Sequence, residues 1–546
     1  MQKSMTSIAT FFRNRMSHLM LCGVILAPCD VSHAQVETES ASRTVKTAST
    51  LPRGYQQGGK DKSETLRILC QKTAETDLFS GSILVAKDGT ILFEQGFGFA
   101  NREWKVPNTP DTRFRLASVS KQFCSMLVMQ LIQENKLSLG DVICDHLGYY
   151  REDTGTKITI HHLLSHQSGL KDFTASFDYR GSISKTKFGK DEFIQLHCSS
   201  DLTHEPGTIY SYCNAGYCIL GRIIEKVTGL TYEKNLQDRI FKPLGMSNSG
   251  FEQSEKIIER FASGYQRGPF SVDRADFIEM DNTPGAAGAI YSTVRDMYLW
   301  DRALHTEELL SKSNRELMFT PNQNVPEVEA AGGRAKSVYG YGWQITNRVH
   351  PLTNYRVKVI SHGGAINGFR AMESRLVDED AFIIILCNLG DQYGSGDVWN
   401  SIVQLNNAII NVVTGQPYRP TAGASVTQDQ RLYRLVRDKG ADAAIEWFNR
   451  AGKKAAWGGS LMAVSNRLLE EGQTQAALML IERDIEMSPR KTWLLRQAAQ
   501  AFLDAGQANR AIKYAEMGLS LKPKDERLQS ILSEAKKKAE VRWADR

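Results

Sequence analysis

Strand-forming sequence lies at two distant places in this chain, and that separation constrains the fold more than any other feature. Residues 80–98, SGSILVAKDGTILFEQGFG, hold two apolar runs around Asp88-Gly89, a pair that supplies the positive backbone torsions of a tight hairpin turn. Further strand-like stretches follow only between residues 340 and 390. We therefore predict one sheet built from both ends of a domain that spans residues 62–415, with the mainly helical sequence between them forming a second lobe.

The first 34 residues have the composition of a signal peptide. Basic residues precede an apolar run at Leu19–Cys29, and small residues end the segment at Ala34. The run is too short to span a bilayer, so we predict no transmembrane span in the mature chain and export to the periplasm or the medium. The alternative is a frayed N-terminal helix. Residues 35–61 are small, polar and aperiodic, which predicts a disordered tether.

Composition argues against several classes of function. A net charge of +6 over 546 residues is small, and no stripe of basic and aromatic residues indicates nucleic-acid binding. No phosphate-binding loop or dinucleotide-binding glycine pattern occurs, so no cofactor is predicted.

The nine cysteines form no CxxC pair, which leaves one disulfide in an oxidising compartment as an open alternative. His161, His162 and His166 lack a further ligand at a metal-binding spacing, so we predict capping or core roles and no metal.

The sequence changes character after the predicted sheet domain. Residues 416–426 are rich in Pro, Gly, Ser and Thr and predict a linker. Within residues 427–546 a pattern repeats at a shift of 34 residues, which places Gly472 on Gly506. This period resembles tetratricopeptide repeats, in which paired helices bury their apolar faces only against neighbours. We therefore predict an all-helical repeat domain that packs on the preceding domain or binds a protein partner.

The first candidate for a catalytic group is a charged side chain on an apolar helix. In FRLASVSKQFCSMLVMQLIQENKL, residues 114–137, a loop leads into the helix and Ser118 is expected in its first turn. Lys121 follows three residues later on the same face, within hydrogen-bonding reach of the Ser118 hydroxyl. Burial would disfavour the charged amine and let it accept the serine proton. The plain alternative is Ser118 as a helix cap and Lys121 as a surface lysine.

Two more motifs carry polar groups that such a pair needs. Tyr212 and Asn214 stand two residues apart in a loop before another apolar helix, so both side chains can face one cleft. Farther on, a predicted strand ends at His362 and continues into Gly363 and Gly364, where a backbone can approach a ligand closely. Alone, each motif has an ordinary structural explanation. Together and in this order they are specific.

With these motifs identified, residues 75–410 resemble the serine hydrolases of the class C β-lactamase and penicillin-binding-protein superfamily. Ser118-Val119-Ser120-Lys121 matches the first family motif, Tyr212-Cys213-Asn214 the second and His362-Gly363-Gly364 the third. The resemblance implies an α+β fold of the β-lactamase/transpeptidase type, in which helices flank an antiparallel sheet beside an all-helical lobe. The all-α repeat domain would follow this fold.

The resemblance also implies a role for each residue. Ser118 would attack a carbonyl and become acylated, while Lys121 and Tyr212 would share the proton transfers. Asn214 would hold the substrate amide or support Lys121, and the third motif would bind substrate. The backbone N–H groups of Ser118 and Ala365 would form the oxyanion hole. The implied substrate is a small-molecule or peptide ester or amide.

One position departs from the family pattern. β-Lactamases and peptidases usually carry Lys-Thr-Gly at the third motif, whereas this chain has His362-Gly363-Gly364. A histidine is mostly neutral near pH 7, so a permanent cation for a substrate carboxylate is missing. We therefore expect an esterase, a D-amino-acid amidase or peptidase, or a weak β-lactamase. The rival hypothesis is a catalytically inactive β-lactamase-like protein that recruits a partner through its repeats.

Overall fold

The computed structural model describes residues 51–544 apart from residues 177, 180–181, 269, 282–284, 323–327, 330–335, 392–396, 421–427 and 452–459. The predicted signal peptide, residues 35–50 of the predicted tether and the second half of the predicted linker lie outside the described residues. None of the described helices is both long and apolar enough to cross a membrane.

A large antiparallel sheet forms the centre of the first domain. The described strands, numbered in chain order, are β1 Gly81–Lys87, β2 Thr90–Phe97, β3 Phe99–Asn101, β4 Val106–Pro107, β5 Phe114–Arg115, β6 Gly250–Phe251, β7 Tyr265–Arg267, β8 Val272–Arg274, β9 Ile290–Ser292, β10 Val328–Glu329, β11 Lys336–Tyr339, β12 Gln344–Val349, β13 Arg356–Ile366, β14 Phe369–Leu376, β15 Ala381–Cys387 and β16 Leu389–Asp391. Eight of them form the sheet in the order β10-β11-β12-β13-β14-β15-β1-β2. The predicted sheet, built from both ends of the domain, is confirmed.

The first hairpin explains how the two ends meet. Asp88 and Gly89 have φ values of 51° and 72°, the positive torsions predicted for the turn between β1 and β2. Along β1, Ile83 belongs to the core on one face of the sheet and Leu84 to the core on the other. Since both faces are covered, the strand is apolar at nearly every position instead of alternating with polar residues.

The described helices are α1 Lys62–Ala74, α2 Ser120–Gln133, α3 Ile143–His146, α4 Glu152–Gly155, α5 Ile160–Leu164, α6 Lys190–His197, α7 Asn214–Thr228, α8 Tyr232–Leu236, α9 Gly285–Gly288, α10 Val294–Ala303, α11 Lys312–Met318, α12 Asp397–Val413, α13 Gln428–Lys439, α14 Ala441–Ala451, α15 Ser460–Glu470, α16 Thr474–Met487, α17 Thr492–Asp504, α18 Ala508–Leu521 and α19 Glu526–Ala544. Helices α1 to α12 belong to the sheet domain, and α13 to α19 follow it. Helices α1 and α12 share one core, whereas α2 and α7 belong to the other. In that second core the ring of Phe123 stacks on Trp300 of α10 at a centroid distance of 4.3 Å.

The described end of the predicted tether, residues 51–61, contacts the chain that follows α12. Gln56 N donates to the Tyr418 carbonyl oxygen at 2.8 Å, and Tyr418 N donates back to the Gln56 carbonyl oxygen at 2.9 Å. The Arg419 guanidinium lies 4.3 Å from the centroid of the Tyr55 ring. This segment is polar and aperiodic, but it is held by the chain that follows α12.

The region after the sheet domain is helical, as predicted. Helix α16 runs from residue 474 to 487 and α18 from 508 to 521, so both ends differ by 34 residues. Gly472 and Gly506, which precede these helices, have φ values of 76° and 71° and make the tight turn within each helix pair. The assignment to tetratricopeptide repeats stays a prediction. The ring of Phe270, beside β7 and β8, lies 4.9 Å from the ring of Tyr433 in α13.

Candidate active site

The predicted nucleophile lies at the junction between a loop and α2. Ser118 is in a short 3-10 turn, Ala117–Val119, and α2 itself begins at Ser120, slightly later than the sequence predicted. Ala117 has a φ of 50°, a left-handed conformation that costs a non-glycine residue about 1 kcal/mol or more. Strained backbone of this kind concentrates where a fold aims a side chain at a reaction centre.

Lys121 is fully buried directly behind the nucleophile. Its amine donates to Ser118 Oγ at 3.1 Å, to Asn214 Oδ1 at 2.8 Å and to the Ala287 carbonyl oxygen at 2.9 Å. Desolvation lowers the pKa of Lys121 to about 8, an effect that the nearby Asp172 carboxylate partly opposes. The alternative of a surface lysine is therefore wrong, and an appreciable neutral fraction of this amine exists near neutral pH.

Tyr212 reaches the same point from the loop before α7. Lys121 Nζ lies 5.0 Å from the centroid of the Tyr212 ring. Burial raises the pKa of the Tyr212 phenol, and the neighbouring Ser118 side chain partly offsets that rise. No described residue forms a well-aligned hydrogen bond with the buried Tyr212 hydroxyl. The phenol therefore stays protonated at neutral pH.

Asn214 completes the group and is held by a residue that the sequence analysis missed. Its Oδ1 accepts from Lys121, while its Nδ2 donates to Asp172 Oδ2 at 3.0 Å and to Thr174 Oγ1 at 3.3 Å. Asp172 lies in a loop without periodicity, so only its position after the His-Gln-Ser-Gly-Leu stretch could have drawn attention to it. The carboxylate fixes which end of the Asn214 amide faces the lysine.

The two glycines of the third motif let β13 pass close to its neighbours. A Cβ atom at Gly364 would collide with the Leu116 carbonyl oxygen, immediately before the turn that carries Ser118. A Cβ atom at Gly363 would collide with the indole ring of Trp399. Glycine is therefore required at both positions by close packing, as the sequence predicted for an approach of this kind.

Ala365 presents its backbone to the cleft. β13 and β14 are joined by the two-residue turn Asn367-Gly368, and the alternation of antiparallel pairing directs the Ala365 N–H away from β14. On that side the pairing of β12 with β13 stops at Ser361, so no described strand faces this N–H. Ala365 and Ser118 line the same cleft.

The third motif was predicted to bind substrate, but His362 does not line the described cleft. The residue is buried, its Nε2 is 2.9 Å from Tyr339 Oη, and its Nδ1 is 2.7 Å from the Gly363 carbonyl oxygen. Desolvation and, to a smaller degree, the charge of Lys121 lower the pKa of His362 to about 3. The imidazole is therefore neutral and lies behind the cleft, 6.3 Å from the Tyr212 ring between centroids.

The cleft in front of Ser118 has a volume of about 740 Å³. Its apolar lining comes from Phe173, Tyr179 and Ile366. Part of its polar lining comes from the hairpin of β7 and β8, and the charged lining residues are Lys185, Asp273, Arg274, Asp276, Arg370 and Asp391. An amphipathic molecule of moderate size fits such a cleft.

The three clustered histidines have structural contacts. The backbone N–H of His162 donates to Thr159 Oγ1 at 3.2 Å, which caps α5, and His161 Nδ1 is 2.7 Å from Tyr341 Oη. His166 is buried against the ring of Tyr212. Capping and core roles are therefore the ones observed. Among the described residues, no three His, Cys, Asp or Glu side chains are grouped as a metal site requires.

Comparison with known proteins agrees with this fold. A penicillin-binding protein of Bacillus subtilis (strain 168) is 26% identical over 395 residues, covering 68% of this chain and 82% of its own length. PbpX of the same strain, assigned as a penicillin-binding protein, is 28% identical over 329 residues, covering 60% of this chain and 75% of its own length. The structure of D-amino acid amidase from Ochrobactrum anthropi SV3 matches with a TM-score of 0.53 at 24% identity, over 64% of this chain and 99% of that one, and so shares the fold.

A family model described as beta-lactamase matches residues 66–406. This range holds all three predicted motifs and the whole cleft, and it covers more than half of the 546 residues. The chain therefore belongs to the beta-lactamase family of serine hydrolases.

Proposed function

We propose that this protein forms an acyl-enzyme on Ser118 and cleaves a carboxylic ester or a small amide. The observation that carries the proposal is the contact of 3.1 Å between Ser118 Oγ and the amine of a fully buried Lys121. A lysine desolvated to this degree can be neutral and can act as a base on the hydroxyl one turn away.

The shifted pKa values of Lys121 and Tyr212 indicate which group accepts a proton and which donates one. The pKa of Lys121 is lowered to about 8, so its neutral form can turn its lone pair to Ser118 and take the hydroxyl proton as Oγ bonds to the carbonyl carbon. The pKa of Tyr212 is raised, so the phenol keeps its proton and can donate it to the leaving group. The phenolate then recovers a proton from the Lys121 ammonium. Water attacks the acyl-enzyme in the second half of the cycle.

The developing oxyanion has two backbone donors in this proposal. The N–H groups of Ser118 and Ala365 border the same cleft, and β13 is kept close to the Ser118 turn by Gly364. Each donor contributes about 3 kcal/mol to transition-state stabilisation in hydrolases of this kind. The Asn214 side chain already bonds Lys121 through its oxygen and Asp172 through its nitrogen. We therefore assign it the role of holding the lysine.

The charges around the cleft favour an uncharged acyl donor. His362 is neutral and turned to Tyr339, so the third motif offers no cation to a substrate carboxylate. Lys185 and Arg274 line the cleft but are matched there by Asp273 and Asp276. We therefore expect esters to react fastest, small amides more slowly and β-lactams least.

A fluorophosphonate probe tests the nucleophile. Stoichiometric labelling that is lost in Ser118→Ala is the expected result. Ser488→Ala is the matched control, because Ser488 also precedes a lysine by three residues but lies in the helical tail. Absence of labelling in the unaltered protein would instead favour the inactive binding protein that recruits a partner through the tail.

Hydrolysis rates on three substrates test the acyl-donor class. The expected order is p-nitrophenyl butyrate first, a D-alanyl amide second and a chromogenic cephalosporin last. Rapid cephalosporin turnover would contradict the role given to the neutral His362. Mass spectrometry of the acyl-enzyme would then identify the group that Ser118 carries.

We also propose that the protein is exported and that its helical tail binds a protein partner. The basic and apolar pattern of residues 1–34 supports export, and the repeat of 34 residues supports a partner-binding tail. N-terminal sequencing of the mature protein, expected to begin after Ala34, tests the first point. Cross-linking of the full chain in its native envelope tests the second.

A further inference from the structure

His166 is buried beside the proposed catalytic group although the mechanism does not use it. Its relative exposure is 1%, and its φ of 58° is left-handed, a strained conformation for a residue other than glycine. Such strain persists only where the surrounding contacts determine the conformation, and it clusters at functional sites. The contacts of His166 are therefore informative.

Two hydrogen bonds join His166 to the loop that carries Tyr212. The His166 carbonyl oxygen accepts from Ser211 N at 2.8 Å, and its side-chain Nδ1 accepts from Cys213 N at 3.1 Å. The backbone is thus fixed on both sides of Tyr212 by one residue. Because Nδ1 accepts a hydrogen bond, the imidazole is neutral and its proton is on Nε2.

The imidazole ring itself fixes the Tyr212 side chain. The centroids of the His166 and Tyr212 rings are 4.2 Å apart, with 38° between their planes. On its other sides the imidazole contacts Tyr339 at 4.8 Å and Tyr217 at 5.2 Å between centroids. The Tyr212 ring in turn covers the Lys121 amine at 5.0 Å. His166 therefore lies directly behind the group that desolvates the lysine.

We propose that His166 is a positioning residue that holds Tyr212 over Lys121 through one backbone acceptor, one side-chain acceptor and one ring contact. This inference rests on the proposed function of Ser118, Lys121 and Tyr212. A neutral imidazole is required because a protonated ring would donate at both nitrogens and lose the bond from Cys213 N–H. It would also bring a second positive charge to the Lys121 amine.

Two substitutions separate the two side-chain contributions. His166→Phe keeps an aromatic ring against Tyr212 but removes the acceptor, which leaves the buried Cys213 N–H without a partner. His166→Asn places an amide oxygen close to the position of Nδ1 and removes the ring. We expect kcat for a D-alanyl amide to fall about 100-fold in His166→Phe with little change in KM, because the amine leaving group needs the proton that the displaced Tyr212 donates. His166→Asn should keep kcat within about tenfold of the unaltered protein.

The pH dependence of kcat/KM distinguishes a positioning residue from one that only stabilises the fold. A neutral Lys121 base makes kcat/KM rise with pH. If Tyr212 no longer covers Lys121 in His166→Phe, water reaches the amine and this rise shifts to higher pH. His166→Asn keeps an acceptor for the Cys213 N–H, so its pH profile should match that of the unaltered protein. An unchanged profile and an unchanged kcat in His166→Phe would overturn the proposal.

A chemical probe of the loop does not depend on catalysis. Cys213 is 1% exposed and bonded to His166 through its backbone, so iodoacetamide should alkylate it at least tenfold faster in His166→Phe. Cys70, buried in α1, is the internal reference for global unfolding. Equal acceleration at both cysteines would overturn the proposal. A protein that fluorophosphonate does not label, but whose Cys213 responds in this way, would refute the proposed catalysis and retain the positioning role.

Discussion

The Asp172 carboxylate accepts two hydrogen bonds from Asn214, one from its backbone N–H at 3.3 Å and one from its side-chain Nδ2 at 3.0 Å. The second bond forces the amide oxygen of Asn214 towards Lys121, where it accepts at 2.8 Å. A residue outside the three motifs therefore determines how the lysine is held.

Asp172→Asn should lower kcat about ten- to hundredfold, since the new amide can place a donor against Asn214 Nδ2 and turn the Asn214 amide around. Steady-state rates on p-nitrophenyl butyrate measure the effect. Asp178→Asn is the matched control, because Asp178 is an exposed carboxylate only six residues farther along the chain. Equal rates in the two variants would show that Asp172 does not orient the amide.

Gly364→Ala should separate the two oxyanion donors. A Cβ atom at this position collides with the Leu116 carbonyl oxygen, so β13 must move away from the turn that carries Ser118. We expect kcat/KM to fall about 100-fold, the effect of losing one donor, together with some loss of stability from overpacking. Gly148→Ala is the control, because a Cβ atom there meets nothing within 4 Å. A lower melting temperature with unchanged kcat/KM would contradict the assignment of Ala365.

Local sequence patterns and the order of the three motifs were enough to predict part of this site. Ser118 and Lys121 were readable because residues three apart on a helix share one face, and the presence of the other two motifs in order favoured a buried lysine over a surface one. The course of an aperiodic loop was not readable, which is why Asp172 was missed. The burial of His362 was also missed, since it depends on Tyr339, a residue of another strand whose hydroxyl bonds the imidazole only in the folded sheet.

Lys121 should give the enzyme an alkaline activity rise. With the pKa of Lys121 lowered to about 8, the neutral amine becomes more abundant as pH rises through that value, so kcat/KM should increase and then level off. Lys121→Arg, which stays protonated, should lose at least about 1,000-fold of the activity at every pH. Rates between pH 5 and 10 give the profile. Activity that falls as pH rises through 8 would exclude a neutral Lys121 as the base.

Glu373 should make the stability of the sheet domain fall with rising pH. The residue is fully buried on β14, and desolvation raises its pKa to about 8, although Gln122 and Arg375 partly oppose the rise. The unfolded chain has the ordinary pKa near 4.5, so between these two values the unfolded state loses a proton that the folded state keeps. The free energy of unfolding therefore declines by up to about 1.4 kcal/mol for each pH unit in this window.

Glu373→Gln removes this titration while keeping a polar side chain of the same size. In urea unfolding, we expect the variant to gain stability relative to the unaltered protein from pH 5 to pH 8, and the difference to level off above about pH 9. Lys121 titrates in both proteins, so its contribution cancels in the comparison. Two stability curves that run parallel from pH 5 to pH 9 would mean that Glu373 ionises in the folded protein as easily as in the unfolded chain.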